Sequence, residues 1–430
     1  MNPSIGLFEY VPNEIIVNIA LLLPLSNVSR FCRTNSRLTF KIFKNEYFWQ
    51  QLFYKHYGPI ENAVGDWANL YQNYKNVWIC GSNTYGQLGL NNKISTQRTI
   101  TNLPNFSAMQ ISAGGSHTVL IDPHNNVWVF GENSSGQLGL GDKETRWKPT
   151  RLLSIKAKQV SAGQGHTVII DLDDNVWVCG YNRIGELGLG LCDMQSVYVP
   201  TLLPNIKALQ VSAGDQRTLI IDINNNGWAC GRNDSGQLGL GDNLSRGIPT
   251  LLPNIKAKQI TAGKGDHTLL IDMNDRVWVF GANKSGQLGL GDDINRHIPI
   301  LLSDFRAKQV AAGCYHSAII DLEDNVWLFG SNTGGNLCHY KIFYSPLILP
   351  NIKAREISTG DFHTMIIDLE NNVWAFGSDN MGALGVELDF KYFHVDAKYI
   401  PPVLLPNIKA NHISAGGHHS ILLEKPGLIN

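Results

Sequence analysis

The stretch WVFGENSSGQLGLGD, Trp128–Asp142, decides the fold because it returns along the chain. Its tryptophan recurs at Trp78, Trp128, Trp177, Trp228, Trp278, Trp327 and Trp374, at spacings of 50, 49, 51, 50, 49 and 47 residues. Each opens a W-x-x-G, and most units continue N-x-x-G-Q-L-G-L-G-D, clearest at Asn133–Asp142, Asn233–Asp242 and Asn283–Asp292. A Pro-rich segment follows, then a strand-like K-A-K-Q-V-S-A-G, as at Lys156–Gly163, then an H-T run ending in Asp, as at His166–Asp171. Internal periods of this length point to a repeat architecture.

Each unit reads as β. The runs His166–Asp171 and Val176–Gly180 are short and rich in Val and Ile, and a D-L-D-D-N turn cluster lies between them. Units of 40–50 residues, each about one four-stranded sheet, predict a propeller. The glycines mark bends or close backbone approach. The tryptophans supply wedges between neighbouring sheets. The phase of the repeat predicts closure: the first Trp strand lacks a preceding A-G-x-x-H-T, and the last such element, Ala415–Glu424, lacks a following Trp strand. The segment near Asn76–Asn105 is therefore expected to pair with Ile408–Glu424, making seven blades with no open edge. The predicted fold class is mainly β, a seven-bladed propeller over residues 77–424, behind a small helical segment at 1–76 and before a tail at 425–430.

At 430 residues the chain allows about three domains of ordinary size. A formal net charge of −1 argues against an electrostatic nucleic-acid binder. No apolar run reaches membrane-spanning length and no signal-like segment opens the chain. Seven cysteines without a C-x-x-C fit a reduced, intracellular protein, in cytoplasm or nucleus.

The first 76 residues carry helix signals. Pro12-Asn13-Glu14 leads into Ile15, Ile16, Ile19, Leu22 and Leu23 at helical spacing, and Pro24 stops the run. Ser26 suits the cap of a second helix carrying Val28 and Phe31. A further apolar run over Tyr47–Tyr57 ends at Gly58-Pro59. Helices this short bury little surface alone.

These residues carry two resemblances. The W-x-x-G-x-N-x-x-G-Q-L-G-L-G-D and A-G-x-x-H-T pattern over residues 77–424 resembles the regulator-of-chromosome-condensation repeat, which implies a seven-bladed propeller. Its sixth unit departs at Gly334–Cys338, and its third has Arg217 where the others have His. Residues 8–54 resemble an F-box, with Val11 in place of the usual Leu. That resemblance implies docking onto the Skp-type linker of a cullin–RING ubiquitin ligase through Pro12, Ile15, Ile19, Leu23, Pro24, Val28 and Phe31. The competing reading makes the same residues a helical cap for the propeller.

Most chemical motifs resolve into structure. The histidines His117, His166, His267, His316, His363 and His419 occur one per unit, too spread for a tetrahedral zinc site. Cys80, Cys179 and Cys230 share a core position that other units fill with Phe. Asp222–Gly227 starts like a calcium loop but has Asn233 where the bidentate Glu belongs. Gly281–Gly286 has P-loop spacing without the Lys-Ser/Thr. The lysines Lys156, Lys158, Lys207, Lys256, Lys258, Lys308 and Lys409 read as a solvated strand edge. No catalytic pair stands out, and no cofactor or metal is called for.

One irregularity suggests recognition. Unit six carries His339, Tyr340, Phe343 and Tyr344, and unit seven has an insertion with Phe390, Tyr392, Phe393 and Tyr399. Neighbouring loops of this kind would form an aromatic patch for a protein substrate, against the alternative of local packing. Taken together, the expected function is a substrate-recruiting adaptor of an SCF-type ligase, without catalysis of its own. The alternatives are a guanine-nucleotide exchange factor for a Ran-type GTPase, the role of the propeller family's founding member, and a purely structural interaction propeller.

Overall fold

The structure is a computed structural model that describes residues 13–22, 42, 44–57, 76–190, 196–331, 342–379, 381–386 and 402–425. The expectations on Pro12, Leu23, Pro24, Val28, Phe31, Tyr340, Phe390, Tyr392 and Phe393 lie outside these residues.

The chain is mainly β. The tryptophans sit in short strands: Asn76–Ser82, Asn126–Gly131, Asn175–Gly180, Asn226–Gly231, Arg276–Gly281, Asn325–Gly330 and Asn372–Gly377. The H-T runs form the strands preceding them, from His117–Ile121 to His363–Asp368, with Arg217–Asp222 in the third unit and His419–Glu424 at the end. The Pro-rich segment and the K-A-K-Q-V-S-A run were expected as separate pieces. In the central units they are one strand of 17 residues, as in Arg146–Ala162, Val197–Ala213, Arg246–Ala262 and Arg296–Ala312.

That continuity ties neighbouring sheets together. Residues early in Arg246–Ala262 pair with the Trp strand of one sheet, Trp228 opposite Leu251 and Gly231 opposite Arg246. Its last residues pair into the next sheet, Ala257 opposite Asp272 and Ala262 opposite Thr268. The early half is a sheet edge, where a proline such as Pro249 costs no ladder bond and blunts edge-to-edge pairing. The late half lines a central channel with Gln210, Ser212, Gln259, Gln309, Glu356 and Ser414.

The inner edges are closed by side chains. Gln110 Oε1 accepts the Val160 N–H at 2.9 Å, Gln159 accepts Val211 at 3.0 Å, and Gln259 accepts Val310 at 3.0 Å. Ser112, Ser161 and Ser212 Oγ accept the N–H of Ala162, Ala213 and Ala262, each at 2.9 Å. Two polar residues of a unit, a Gln and a Ser, thus each satisfy a backbone donor of its neighbour.

Start and end of the ring share one sheet. Val77 pairs with Leu423 and Trp78 with Leu422, while Trp78 also faces Asn102, and Ala410 pairs with Glu424. This is the pairing the repeat's phase predicts.

The core lies between sheets. One cluster joins Val119, Val127, Val129, Leu138, Ile155 and Val160 to Ile169, with Trp177 of the next unit packed on it. Burying each such aliphatic side chain stabilises by roughly 1.5–3 kcal/mol. The Trp wedge is anchored as well. Trp177 Nε1 donates to Asp171 Oδ2 at 2.8 Å, and Asp171 Oδ1 accepts the N–H of Asp173 and Asn175, both at 2.9 Å. The turn residue Asp174 takes φ of 70°, a left-handed geometry that Asp and Asn tolerate. Asp222–Gly227 makes the same turn, with Asp222 accepting from Asn224, Asn226 and Trp228.

Among the described residues two helices precede the strands. The first, α1, spans Asn13–Leu22, and the second, α2, spans Glu46–Tyr57. The Asn45 side chain caps α2 by accepting the Phe48 N–H at 3.1 Å. Ile16, Val17 and Ala20 of α1 are buried, as are Phe48, Trp49 and Leu52 of α2, and the two helices pack on one another.

Candidate protein-interaction face at the channel mouth

The A-G-x-x-H loops all end at one mouth of the channel, and neighbouring loops bond directly. Gly115 N donates to Gly163 O, Gln164 N to Gly214 O, Gly265 N to Gly313 O, and Gly417 N to Gly114 O. Behind this rim runs a belt of histidine links between adjacent units. His117 Nε2 meets Thr167 Oγ1 at 2.9 Å, His166 meets Thr218 at 3.0 Å, and His419 closes onto Thr118 at 3.0 Å. The Thr118 and Thr167 hydroxyls spend their protons on the carbonyls of Gln87 and Gln137, both at 2.7 Å. The imidazoles therefore donate from Nε2, and Nδ1 of His117, His166, His267 and His419 is buried without a partner. Burial holds the rings neutral, with His117 lowered to about 3 and His166 to about 4. The histidines are structural, as their spread in sequence suggests.

Several departures from the repeat among the described residues lie at this mouth. Arg217, fully buried, makes the same inter-unit link with a guanidinium: Nη1 donates to Gly265 O at 2.8 Å, and Nη2 to Gly263 O at 3.1 Å and His267 O at 2.6 Å. Burial lowers its pKa to about 10, still well above neutrality. Glu186 takes the place of the loop glutamine of the first, second, fourth and fifth units, Gln87, Gln137, Gln237 and Gln287. It is buried, Oε2 accepts the Ile184 N–H at 2.8 Å, and Oε1 has no partner. Burial, then the nearby Asp215 charge, raises its pKa.

The fourth loop, Gly263-Lys264-Gly265-Asp266, is one residue longer than its counterparts. Its lysine reaches across the channel. Lys264 Nζ donates to Ala113 O at 3.2 Å, Gly114 O at 3.4 Å and Ala415 O at 3.0 Å, all in the first and last units. Burial lowers its pKa to about 8, and Asp361 opposes that shift. Asp266 pairs with Arg232 at 3.3 Å, and Gln237 donates to it at 3.1 Å. Burial and the charges of Asp266 and Asp361 raise Asp215. Phe362 stacks on His418 at 6.0 Å between ring centroids, and Tyr315 is 46% exposed beside them in the rim sequence.

The residues singled out in sequence fall elsewhere. Phe343 packs against a buried cluster with Leu349, Ile357 and Phe376. Tyr344 covers Gly286 of the preceding unit, as Trp147 covers Gly86 and Tyr198 covers Gly136. Both positions thus take part in the packing of the repeat, and the other aromatics of the expected patch lie outside the described residues. Ile15 lies within α1, and Ile19 is 38% exposed. The lysines staple turns: Lys258 pairs with Asp275 and Lys308 with Asp324 at 2.5 Å, and Lys158 pairs with Asp174. Cys179 and Cys230 are buried with thiols pushed up to about 12. Among the described residues no His, Cys, Asp and Glu side chains group as a metal site, and no helix is long and apolar enough to cross a membrane. Lys264, Asp215, Asp266 and Asp361 were missed. The signal was the extra residue at Gly263–His267, visible once the seven loops are aligned.

Comparison with known proteins places this ring. The RCC1-like domain model matches residues 61–303, and the regulator of chromosome condensation (RCC1) repeat matches 354–383. Neither span includes residues 8–54, so the F-box resemblance has no family match beneath it. No curated protein matches the sequence. Among solved structures, human WBSCR16 is 20% identical with a TM-score of 0.73, over 82% of this chain and 99% of that one. Prp20p of Saccharomyces cerevisiae, in a structure titled for its binding to Gsp1p and histones, is 18% identical with a TM-score of 0.73, over 85% and 96%. Yeast RCC1 (Prp20) bound to Kap60 gives 18%, a TM-score of 0.72, and 85% and 93% coverage. With more than half of its sequence matched by the domain model, the chain belongs to the RCC1-like domain family.

Proposed function

We propose that this chain is a non-catalytic, intracellular protein-binding propeller of seven blades, one per Trp strand over residues 77–424, that presents its channel mouth to a partner protein. The observation carrying this reading is the collection of Arg217, Glu186, Lys264 and Asp266 at one mouth of the ring, among the described residues. Repeat packing alone calls for a His and a Gln at the first two positions and no insertion. A binding surface benefits from such local chemistry on a rigid frame.

The family supports a GTPase partner first. The yeast relative's title names Gsp1p, and a Ran-type GTPase at the mouth would make this chain an exchange factor. The test is GDP release from a purified Ran-type GTPase. Acceleration by the chain is expected, and an unchanged rate contradicts this form of the reading.

A specific observation favours a second form, the ubiquitin-ligase adaptor. Ile19 and Leu22 of α1 are 38% and 81% exposed, although Ile16, Val17 and Ala20 on the same helix are buried. Such an apolar edge suits docking to a Skp-type linker, with the propeller holding the substrate. Co-purification of linker with the chain, lost in Ile19→Asp, is the expected result. Equal recovery with wild type and Ile19→Asp contradicts it.

A further inference from the structure

We propose that the channel mouth is a receptor for a lysine or arginine side chain of a partner protein, and that Lys264 is an internal occupant holding that site closed. The inference deepens the protein-binding reading above and rests on it.

The lysine itself shows what the site accepts. Three carbonyls, of Ala113, Gly114 and Ala415, converge on one ammonium. An ammonium offers three donors and no acceptor, so three carbonyl oxygens satisfy it fully. These carbonyls belong to the first and last units, on the far side of the channel from the fourth loop. The Lys264 ammonium donates to no group of its own unit. It occupies a site built by other units, through an insertion that the other loops lack.

Acceptor capacity remains around it. Asp361 faces Lys264 electrostatically, and its Oδ1 is buried with no hydrogen-bond partner. The fully buried Glu186 has a second unpartnered carboxylate oxygen and lies near Asp215. Among the described residues Arg217 and Arg232 are also cations of the mouth, and both are engaged: Arg217 on three carbonyls, and Arg232 on Asp234 and Asp266. Withdrawal of Lys264 would leave acceptors and negative charge with no cation. The stacked Phe362 and His418 offer a flat wall suited to a guanidinium or the stem of a lysine. Below the rim the channel encloses about 230 Å³, with Lys264 among its lining residues, so an entering side chain has room.

Burial brings the Lys264 pKa down to about 8, because the ammonium exchanges its hydration for three carbonyl acceptors, while Asp361 opposes that shift. A partner side chain whose remaining residues also contact the rim would compete for the same acceptors.

The test uses the full chain and two short peptides, acetyl-Gly-Lys-Gly-amide and its norleucine counterpart, titrated by NMR into wild type, Lys264→Ala and Lys264→Gln. Both substitutions remove the occupant, and Gln keeps a polar side chain should Ala unfold the loop. Binding of the lysine peptide to a folded Lys264 variant is expected about tenfold tighter than to wild type. The norleucine peptide should not bind, and adding Asp361→Asn should abolish the gain. Equal affinity of wild type and folded variants for the lysine peptide, or equal binding of the two peptides, overturns the proposal. If the peptides fail while the intact GTPase or linker still binds, only this inference falls and the protein-binding reading stands.

Discussion

Six buried histidines make pH a direct probe of single residues. In the folded chain His117, His267 and His363 are held at about 3 and His166 and His316 at about 4, against an ordinary 6.5, and His419 is also well below it. Below 6.5 the unfolded chain takes up protons that the folded chain refuses, so the unfolded state binds more protons and stability falls with pH. Stability from this source is complete above about pH 6.5 and drains away as pH falls towards about 3. Urea unfolding at about pH 7 and about pH 5 should show a clear loss at the lower value, above the range in which unshifted carboxylates titrate. Equal midpoints would contradict the neutral-histidine belt. Asp222 is a second residue-scale test. It accepts two backbone N–H groups, the Asn226 amide and the Trp228 indole. Asp222→Ala should cost about 3 kcal/mol in urea unfolding, and a change within about 0.5 kcal/mol would mean the turn holds without it. Sequence spacing sufficed to identify the histidines as structural, because a ring spreads them apart. Lys264 was hidden because a single inserted residue changes no periodicity; only the loop-by-loop alignment isolates it.

At the scale of elements, the strands and their turns were legible from glycine, Asp-Asn and β-branched patterning. The 17-residue strands were not, since Pro149, Pro200 and Pro249 read as breaks. Their position on a sheet edge removes the need for an N–H, so the strand continues through them. The helix near Tyr47 begins at Glu46, one residue earlier, because Asn45 caps it. Gly131 shows how tightly elements abut: φ is 106°, and an added Cβ would lie 2.5 Å from Ser116 O. Gly131→Ala should therefore destabilise by more than about 3 kcal/mol. Thermal unfolding checks this, and an unchanged melt would show that the Trp strand and the preceding loop can separate freely. The aromatic run Phe343–Tyr344 also has a packing role that its sequence does not display: Tyr344 covers Gly286 of the neighbouring unit.

For the whole molecule, closure was legible from the phase of the repeat, because each half-sheet lacks what the other supplies. The strand His419–Glu424 pairs with Val403–Ala415 and with Asn76–Ser82, and Glu424 accepts from Trp78 Nε1 at 3.2 Å. Removing residues from His419 onward should open the ring and abolish a single cooperative melt followed by circular dichroism. Retention of the wild-type melt would mean that the sheets stand without closure. The role of the ring was less legible, since a repeat fixes the frame and leaves partner choice to its irregularities. The central claim is that this frame binds a protein through its channel mouth or α1. The most direct measurement is side-by-side calorimetric titration of the full chain with a purified Ran-type GTPase and a purified Skp-type linker. Binding of at least one at about micromolar affinity is predicted, weakened by Asp361→Asn for the GTPase or by Ile19→Asp for the linker. No heat of binding with either protein would contradict the account.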